Sequence, residues 1–350
     1  MTVQISGTAR PAAAGTSSGR SLRNLTYRPE AGALIGTLGV FVFFAIFGGA
    51  HFLAAAGTAA WLNVAAELGI IALPVGLLMI AGELDLSVGS VLAASSMTLA
   101  IVSGYWGAPM IVGIALALGV GVTAGALNGL IVTRTNVPSF VVTLATLFGM
   151  AGLTLGLSRV ITGTTSVALN PDPASKAVFG TLIAGQFEVA ILWWIVVALG
   201  VGWMLQMTKY GNWILAVGGD KESARAAGIP TNRLKIALYT GSGFGAALVG
   251  VIQTILYNGA QVANGQSFVF NSIIAVVVGG VLLTGGYGSV AGIVFGTLTF
   301  AIVNQGIYYT GWNSDWASFI LGVLILSAVL MNNTFRRLAL SYAPRPGKKA

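Results

Sequence analysis

Residues 60–104, AWLNVAAELGIIALPVGLLMIAGELDLSVGSVLAASSMTLAIVSG, decide what kind of protein this is. They hold two apolar runs, 60–81 and 86–104, each close to the roughly 20 residues that carry a helix across the hydrocarbon core of a bilayer. Glu83 and Asp85 stand between the runs with no basic residue beside them, and Glu67 lies inside the first. Two such runs back to back leave a water-soluble domain no polar face to show. They read as consecutive membrane spans.

The same pattern repeats in both directions. Ten stretches qualify: 32–50, 60–81, 86–104, 109–133, 139–157, 188–207, 234–257, 270–284, 288–308 and 314–333. Of 350 residues, 56% are hydrophobic and 7% charged, with a mean hydropathy of +0.88, where a soluble domain carries about 25% charged residues. The expected fold is an all-α integral membrane protein of about ten transmembrane helices. Gly and Pro interrupt many spans, which lipid-embedded helices tolerate because neighbouring groups re-satisfy the backbone. Clusters such as Gly241-Ser242-Gly243 and Gly245-Ala246-Ala247 predict close helix–helix packing.

Charge fixes the orientation. If the first span starts inside, the inner segments are the N-terminal tail, 82–85, 134–138, 208–233, 285–287 and the C-terminal tail. Counting Lys235 at a loop edge, they carry fifteen Lys and Arg residues, against Arg159 and Lys176 outside. That is the asymmetry of the positive-inside rule, with both termini cytoplasmic. A disordered cytoplasmic tail is expected over 1–30, a transmembrane domain over 31–335 and a basic cytoplasmic tail over 336–350. Arg23 and Arg28 before an apolar run also suit a signal peptide, but that leader is long and 33–50 long enough to span, so an uncleaved first span is favoured. The net charge of +8 thus faces membrane lipid and implies no nucleic acid.

Several chemistries are excluded. With no cysteine and His51 as the single histidine, disulfides, cysteine zinc sites and histidine-centred metal sites have no ligands. No catalytic constellation is present and no metal site is expected. The phosphate-binding pattern GxxxxGK[ST] is absent, so ATP use requires another chain.

Three segments carry information. In Ala81–Ser90, Asp85 or Ser87 suits an N-cap for the following helix, while acids at a span margin also suit a polar cavity or a subunit contact. In the loop of about 208–235, Asp220-Lys221-Glu222-Ser223-Ala224-Arg225-Ala226-Ala227-Gly228 reads as a short helix, capped by Asp220 and stopped by Gly228. A helix so short is marginal alone in water; it is either a solvated connector or a docking element. The glycine-rich run 279–292 predicts a broken helix or re-entrant turn.

In this order the segments resemble the membrane permeases of ribose-type sugar importers, ATP-binding-cassette (ABC) systems for pentoses, hexoses and polyols. The resemblance runs from about Asn63 to Val329. It rests on the GxxDLSVGS element at 82–90, on Leu127-Asn128-Gly129-Leu130 with the turn Arg134–Phe140, on 216–229, and on the double glycines of 279–292. It implies a type II importer-like permease fold in the bacterial inner membrane and a second permease chain, identical or similar. It also implies a cytoplasmic ABC ATPase docked through Asp220, Glu222, Ala224, Arg225, Ala227 and Gly228, and a periplasmic sugar-binding protein. ATP and Mg belong to the ATPase; no cofactor belongs to this chain. Asp85 matches the family aspartate. Glu83 stands where the family usually has Gly, Val269 and Asn271 where it often has Glu and Asp, and Ser139 where Pro is common.

A sugar path needs polar groups with little net charge. Asn63 and Glu67, four apart, share a helix face; Asp85, Ser87, Asn304 and Gln305 complete the candidates for the path or its gating. Glu67 also suits snorkelling to the outer surface. Asn128, near Arg134, reads as an interfacial anchor. Two alternatives share the pattern: an ABC permease for another small solute such as branched-chain amino acids, and a proton- or sodium-coupled secondary transporter.

Overall fold

The computed structural model describes residues 29–316 together with 319, 320, 322, 323, 326 and 327. The expected tails, apart from residues 29 and 30, and most of the expected span 314–333 lie outside the described residues.

The helices run in chain order as α1 (Pro29–Phe47), α2 (Gly49–Leu53), α3 (Ala55–Ile80), α4 (Val88–Leu99), α5 (Met110–Arg134), α6 (Ser139–Thr162), α7 (Pro173–Phe179) and α8 (Ala190–Met207). They continue as α9 (Lys209–Gly219), α10 (Lys221–Ala226), α11 (Thr231–Leu256), α12 (Gln266–Val278) and α13 (Val290–Gly306). A π turn, Ala100–Tyr105, prolongs α4. Four short strands form two antiparallel ribbons: β1 (Ser166–Ala168) pairs with β4 (Gly259–Gln261), and β2 (Leu182–Ile183) with β3 (Phe187–Glu188).

Among the described residues, eight helices are long and apolar enough to cross a membrane, matching eight of the ten expected stretches. The stretch expected at 270–284 is instead α12, 13 residues long and so about 20 Å, well short of a 30 Å hydrocarbon core. The glycines that follow it form a connector without helix.

Lipid, not water, dictates which side chains point outward. Ile111 and Phe148 are each 70% exposed and Val160 84%, a surface that costs nothing against hydrocarbon. At the centre stand α3, α4 and α11, buried along most of their length. Small residues let these helices approach. A Cβ on Gly121 would lie 2.3 Å from the Gly243 carbonyl oxygen, and one on Gly125 2.2 Å from that of Tyr239, so the four-residue glycine spacing on α5 seats α11 backbone to backbone. Pro74, inside α3, deprives the Ile70 carbonyl of its helical partner; Gly245 of α11 packs over both residues.

The two ends of the bundle differ. At one, Gly82, Gly218 and Gly285 lie against one another and the Gly286 N–H donates to the Ile80 carbonyl at 2.8 Å. Arg134, Lys209, Lys221, Arg225, Arg233 and Lys235 follow the helix ends and loops on this side, here termed the basic end. The far end holds both ribbons and the Phe52–Tyr309 contact, with Arg159 and Lys176 as its Arg and Lys residues among those described.

Two helices begin inside the bundle rather than at an end. Asp85, just before α4, is bonded to Ser242, and Ser242 lies eleven positions along α11 from Thr231, about 16 Å from its basic end. Residues 82–87 therefore run inward as non-helical chain, and α4 starts at mid-depth instead of at the margin. From the far end, residues 262–265 descend to the same level. A Cβ on Gly265, whose φ is +95°, would meet the Gly89 carbonyl oxygen at 2.5 Å. From there α12 runs back to the basic end, where Gly279 packs on Gly292.

Candidate translocation and coupling sites

The segment 82–87 is held by a buried polar network. One Asp85 oxygen accepts from the Ser87 N–H at 2.9 Å and the Ser87 hydroxyl at 2.6 Å; the other accepts from Ser242 Oγ at 2.7 Å. Ser87 Oγ also accepts from Asn128 Nδ2 at 2.9 Å, and Thr146 Oγ1 donates to Asn128 Oδ1 at 2.6 Å. Tyr239 Oη donates to the Leu84 carbonyl at 3.2 Å, and the Leu84 N–H donates to Ser139 Oγ at 3.3 Å. Three hydrogen bonds satisfy the Asp85 carboxyl oxygens, as buried polar atoms require.

Four expectations change here. Asp85 folds its own chain back onto Ser87 rather than capping α4, whose N-cap residue is Ser87, without a side-chain cap bond. Asp85 and Ser87 are each 1% exposed, so in this conformation they join helices and do not line an open path. Asn128 is no interfacial anchor: it is buried and links α5 to α4 and α6. Glu83 does have a basic partner, for Lys235 Nζ donates to its carboxylate in a partly buried ion pair. The 152 residues separating them in sequence hide that pairing.

Toward the far end lies a second polar group. Asn63 and Glu67 share a face of α3, as their spacing predicts. Asn63 Nδ2 donates to the Gln186 carbonyl at 3.0 Å, and its Oδ1 accepts from the Glu188 N–H at 3.0 Å, so this residue pins the β2–β3 ribbon. Glu67 is buried and accepts from Gln253 Nε2 of α11 at 2.8 Å, so it does not snorkel. Glu188 stands on the ribbon that Asn63 pins, at the same end of α3. Burial pushes the Glu188 carboxyl up to about 7, partly offset by a hydrogen bond with Tyr257. Burial, then the two carboxylates, push up the Tyr257 phenol. Glu188 and Gln253 carried no motif; only the fold brings them to Glu67. Asn304 and Gln305 bond to each other, Nε2 to Oδ1 at 2.8 Å, and to neither polar group among the described residues.

At the basic end, α9 has Lys209 above the Tyr210 and Trp213 rings, 5.6 and 5.4 Å from their centroids. Asp220 ends α9 and caps α10, its Oδ1 accepting from the Ser223 N–H at 2.7 Å. That bond holds its carboxyl below the usual carboxylate range. Gly228, at φ +84°, provides the left-handed turn after α10. Ala224 alone of the six sequence candidates is buried, against the main core. Asp220, Glu222, Arg225, Ala227 and Gly228 are exposed. Just before Asp220, Gly218 and Gly219 rest on Gly82, Gly285 and Gly286, so α10 connects through backbone contacts to the segment that carries Asp85.

No solved structure matches the chain. It is 30% identical over 313 residues to the fructose import permease protein FrcC of Rhizobium meliloti, covering 86% of this chain and 84% of that protein. It is 33% identical over 267 residues to the ribose import permease protein RbsC of Escherichia coli K12, covering 75% and 81%. The inner membrane ABC transporter permease protein YjfF of the same organism is 31% identical over 297 residues, covering 83% and 88%. The family model described as "Branched-chain amino acid transport system / permease component" matches residues 57–329. Eight apolar helices and this match over most of its length make the chain a multi-pass permease subunit of the bacterial inner membrane, a member of that ABC-transporter permease family.

Proposed function

We propose that this chain is the membrane subunit of an ATP-driven importer for a monosaccharide or related polyol, and that its basic end faces the cytoplasm. The relatives named for fructose and ribose support the substrate class. The charge asymmetry between the ends supports the orientation.

The observation that carries the coupling is the state of α10. It shows Glu222, Arg225 and Ala227 to solvent and keeps Ala224 against the bundle. A cytoplasmic ABC ATPase would grip that face and bind ATP and Mg itself, leaving this chain without cofactor or catalysis. Movement of α10 would pass through Gly218 and Gly219 to Gly82 and Gly285, and from there to the segment held by Asp85. Asp85 and Ser87 thereby act on the path as a gate element, while Asn63 and Glu67 shape its far side. Asn304 and Gln305 are proposed as further polar contacts near the far end. A second permease chain would complete the pore, and a periplasmic binding protein would deliver solute to the far end.

Reconstitution with the co-purifying subunits tests this directly. Uptake of D-ribose or D-fructose that requires ATP is the expected result. Accumulation of L-leucine instead would replace the sugar reading with an amino-acid one. Uptake driven by a proton or sodium gradient without ATP would discard the importer altogether.

A further inference from the structure

At the far end the chain that descends toward Gly265 borders a cavity of about 660 Å³, within the roughly 300–1,000 Å³ usual for small-molecule sites. Its wall includes Gln253, Tyr257, Asn258, Gln261, Asn264 and Ser267, and none of the residues bordering it is Asp, Glu, Lys or Arg. Tyr257, Asn258 and Gln261 are exposed, so the cavity opens at the far end. The side-chain amides of Asn258, Gln261 and Asn264 make no hydrogen bond within the described residues. A wall of free amides offers donors and acceptors together, and a hydroxyl needs both.

We infer that this cavity is a docking site for one neutral, polyhydroxylated solute on its way into the membrane. The inference rests on the importer reading and adds where the solute first meets this chain. The charge of the wall narrows the choice. Gln253 is bonded to Glu67, which stands just behind a neutral residue. The wall itself holds no cation to pair with a carboxylate or phosphate. Sugar acids, sugar phosphates and amino acids are rejected on that ground, whereas hydroxyls lose nothing. A site built from unpaired amides also discriminates against solutes that lack hydroxyls, because its polar groups then stay unsatisfied.

The floor adds a second feature. Gly265 precedes the first turn of the 13-residue α12, whose leading N–H groups lack helical partners and suit an oxygen ligand. Gly265 also touches Gly89 at mid-depth. The cavity thus reaches from the far surface to the level where α4 and α12 begin.

The chain has no cysteine, so Gln261→Cys, Asn264→Cys and Ser267→Cys each introduce a single thiol. Gln261 and Ser267 are exposed and Asn264 half-buried, so these substitutions disturb no core. The assay uses right-side-out vesicles holding the whole transporter and a membrane-impermeant maleimide. All three thiols are expected to react, and whichever of D-ribose or D-fructose the wild type takes up slows the reaction several-fold. Gluconate and L-leucine leave the rate unchanged, as does any solute for Lys176→Cys, which lies outside the cavity. If the wild type takes up either sugar yet all three thiols react equally with and without it, the docking site is wrong and the importer reading survives. Thiols that never react in inserted protein overturn the site too. If the wild type takes up L-leucine and neither sugar, the importer reading falls and the site falls with it.

Discussion

Asp85 Oδ2 accepts a 2.7 Å hydrogen bond from Ser242 Oγ, and that contact sets the depth at which α4 begins. Each helix start leaves N–H groups that behave as partial positive charge. With the start of α12 beside it at Gly265, two such ends meet inside the bundle. The Asp85 carboxyl supplies hydrogen-bond acceptors beside them.

Asp85→Ala is therefore expected to destabilise strongly. It strips the acceptor from the Ser87 N–H and from the Ser87 and Ser242 hydroxyls, at about 1–3 kcal/mol for each buried group left unsatisfied. Ser242→Ala removes one donor and should cost about 1 kcal/mol, rising somewhat because its partner is charged. Thermal melting in detergent ranks the two. Equal melting temperatures would show that the network does not hold α4 in place.

The Glu83–Lys235 pair makes a separate forecast. Lys235→Met alone leaves a partly buried carboxylate without its cation and is expected to cost up to about 3 kcal/mol, the lower end for a buried pair. Adding Glu83→Gln should restore most of that loss, since the double replacement removes both charges. A double mutant no more stable than Lys235→Met would show that the pair is not coupled.

Glu188 links stability to pH. Its folded-state pKa of about 7 lies above the ordinary 4.5, so between those values the folded protein holds the proton more tightly than the unfolded chain. Stability from this group therefore falls as pH rises through that window and levels off above it. The wild type should melt at a lower temperature at pH 8 than at pH 5, and Glu188→Gln should show a smaller difference. An unchanged difference would place the titration elsewhere.

Arg225→Glu reverses an exposed charge on α10 without touching the core. Expression and melting should match wild type while ATP-dependent uptake drops several-fold, with ATP hydrolysis no longer stimulated by delivered solute. Unchanged uptake would remove α10 from the coupling route.

The apolar runs made most of this architecture readable, because lipid demands the same stretch of greasy residues whatever their partners. The helix at 221–226 was readable too, from Asp220 and Gly228 alone. Depth was not. Hydropathy counts apolar residues: α12 is as apolar as its surroundings, and the acids of segment 82–87 read as a loop at the membrane margin, so nothing local says that one stops half-way and the other turns inward. Partnerships across the fold were equally hidden. Glu83 looked unpaired because Lys235 is distant in sequence, and Asn128 looked superficial because Arg134 is near. Gln253, Asn258, Gln261 and Asn264 belong to no recognised pattern; they become a surface only when the chain after α11 doubles back into the bundle.

The meeting of Gly89 and Gly265 has a consequence for leak. Where a gate is made of bulky side chains, a rotamer change opens it, and its tightness depends on which residues stand there. Here the joint beneath the far-end cavity is main chain against main chain, with the Val269 and Leu92 side chains packed beside it. If this joint closes the proposed path, protons and small ions would pass only when whole helices move apart, so the resting barrier would tighten or fail as one piece. A methyl group added at Gly89 would act as a wedge in that joint, forcing apart the two chains that meet there.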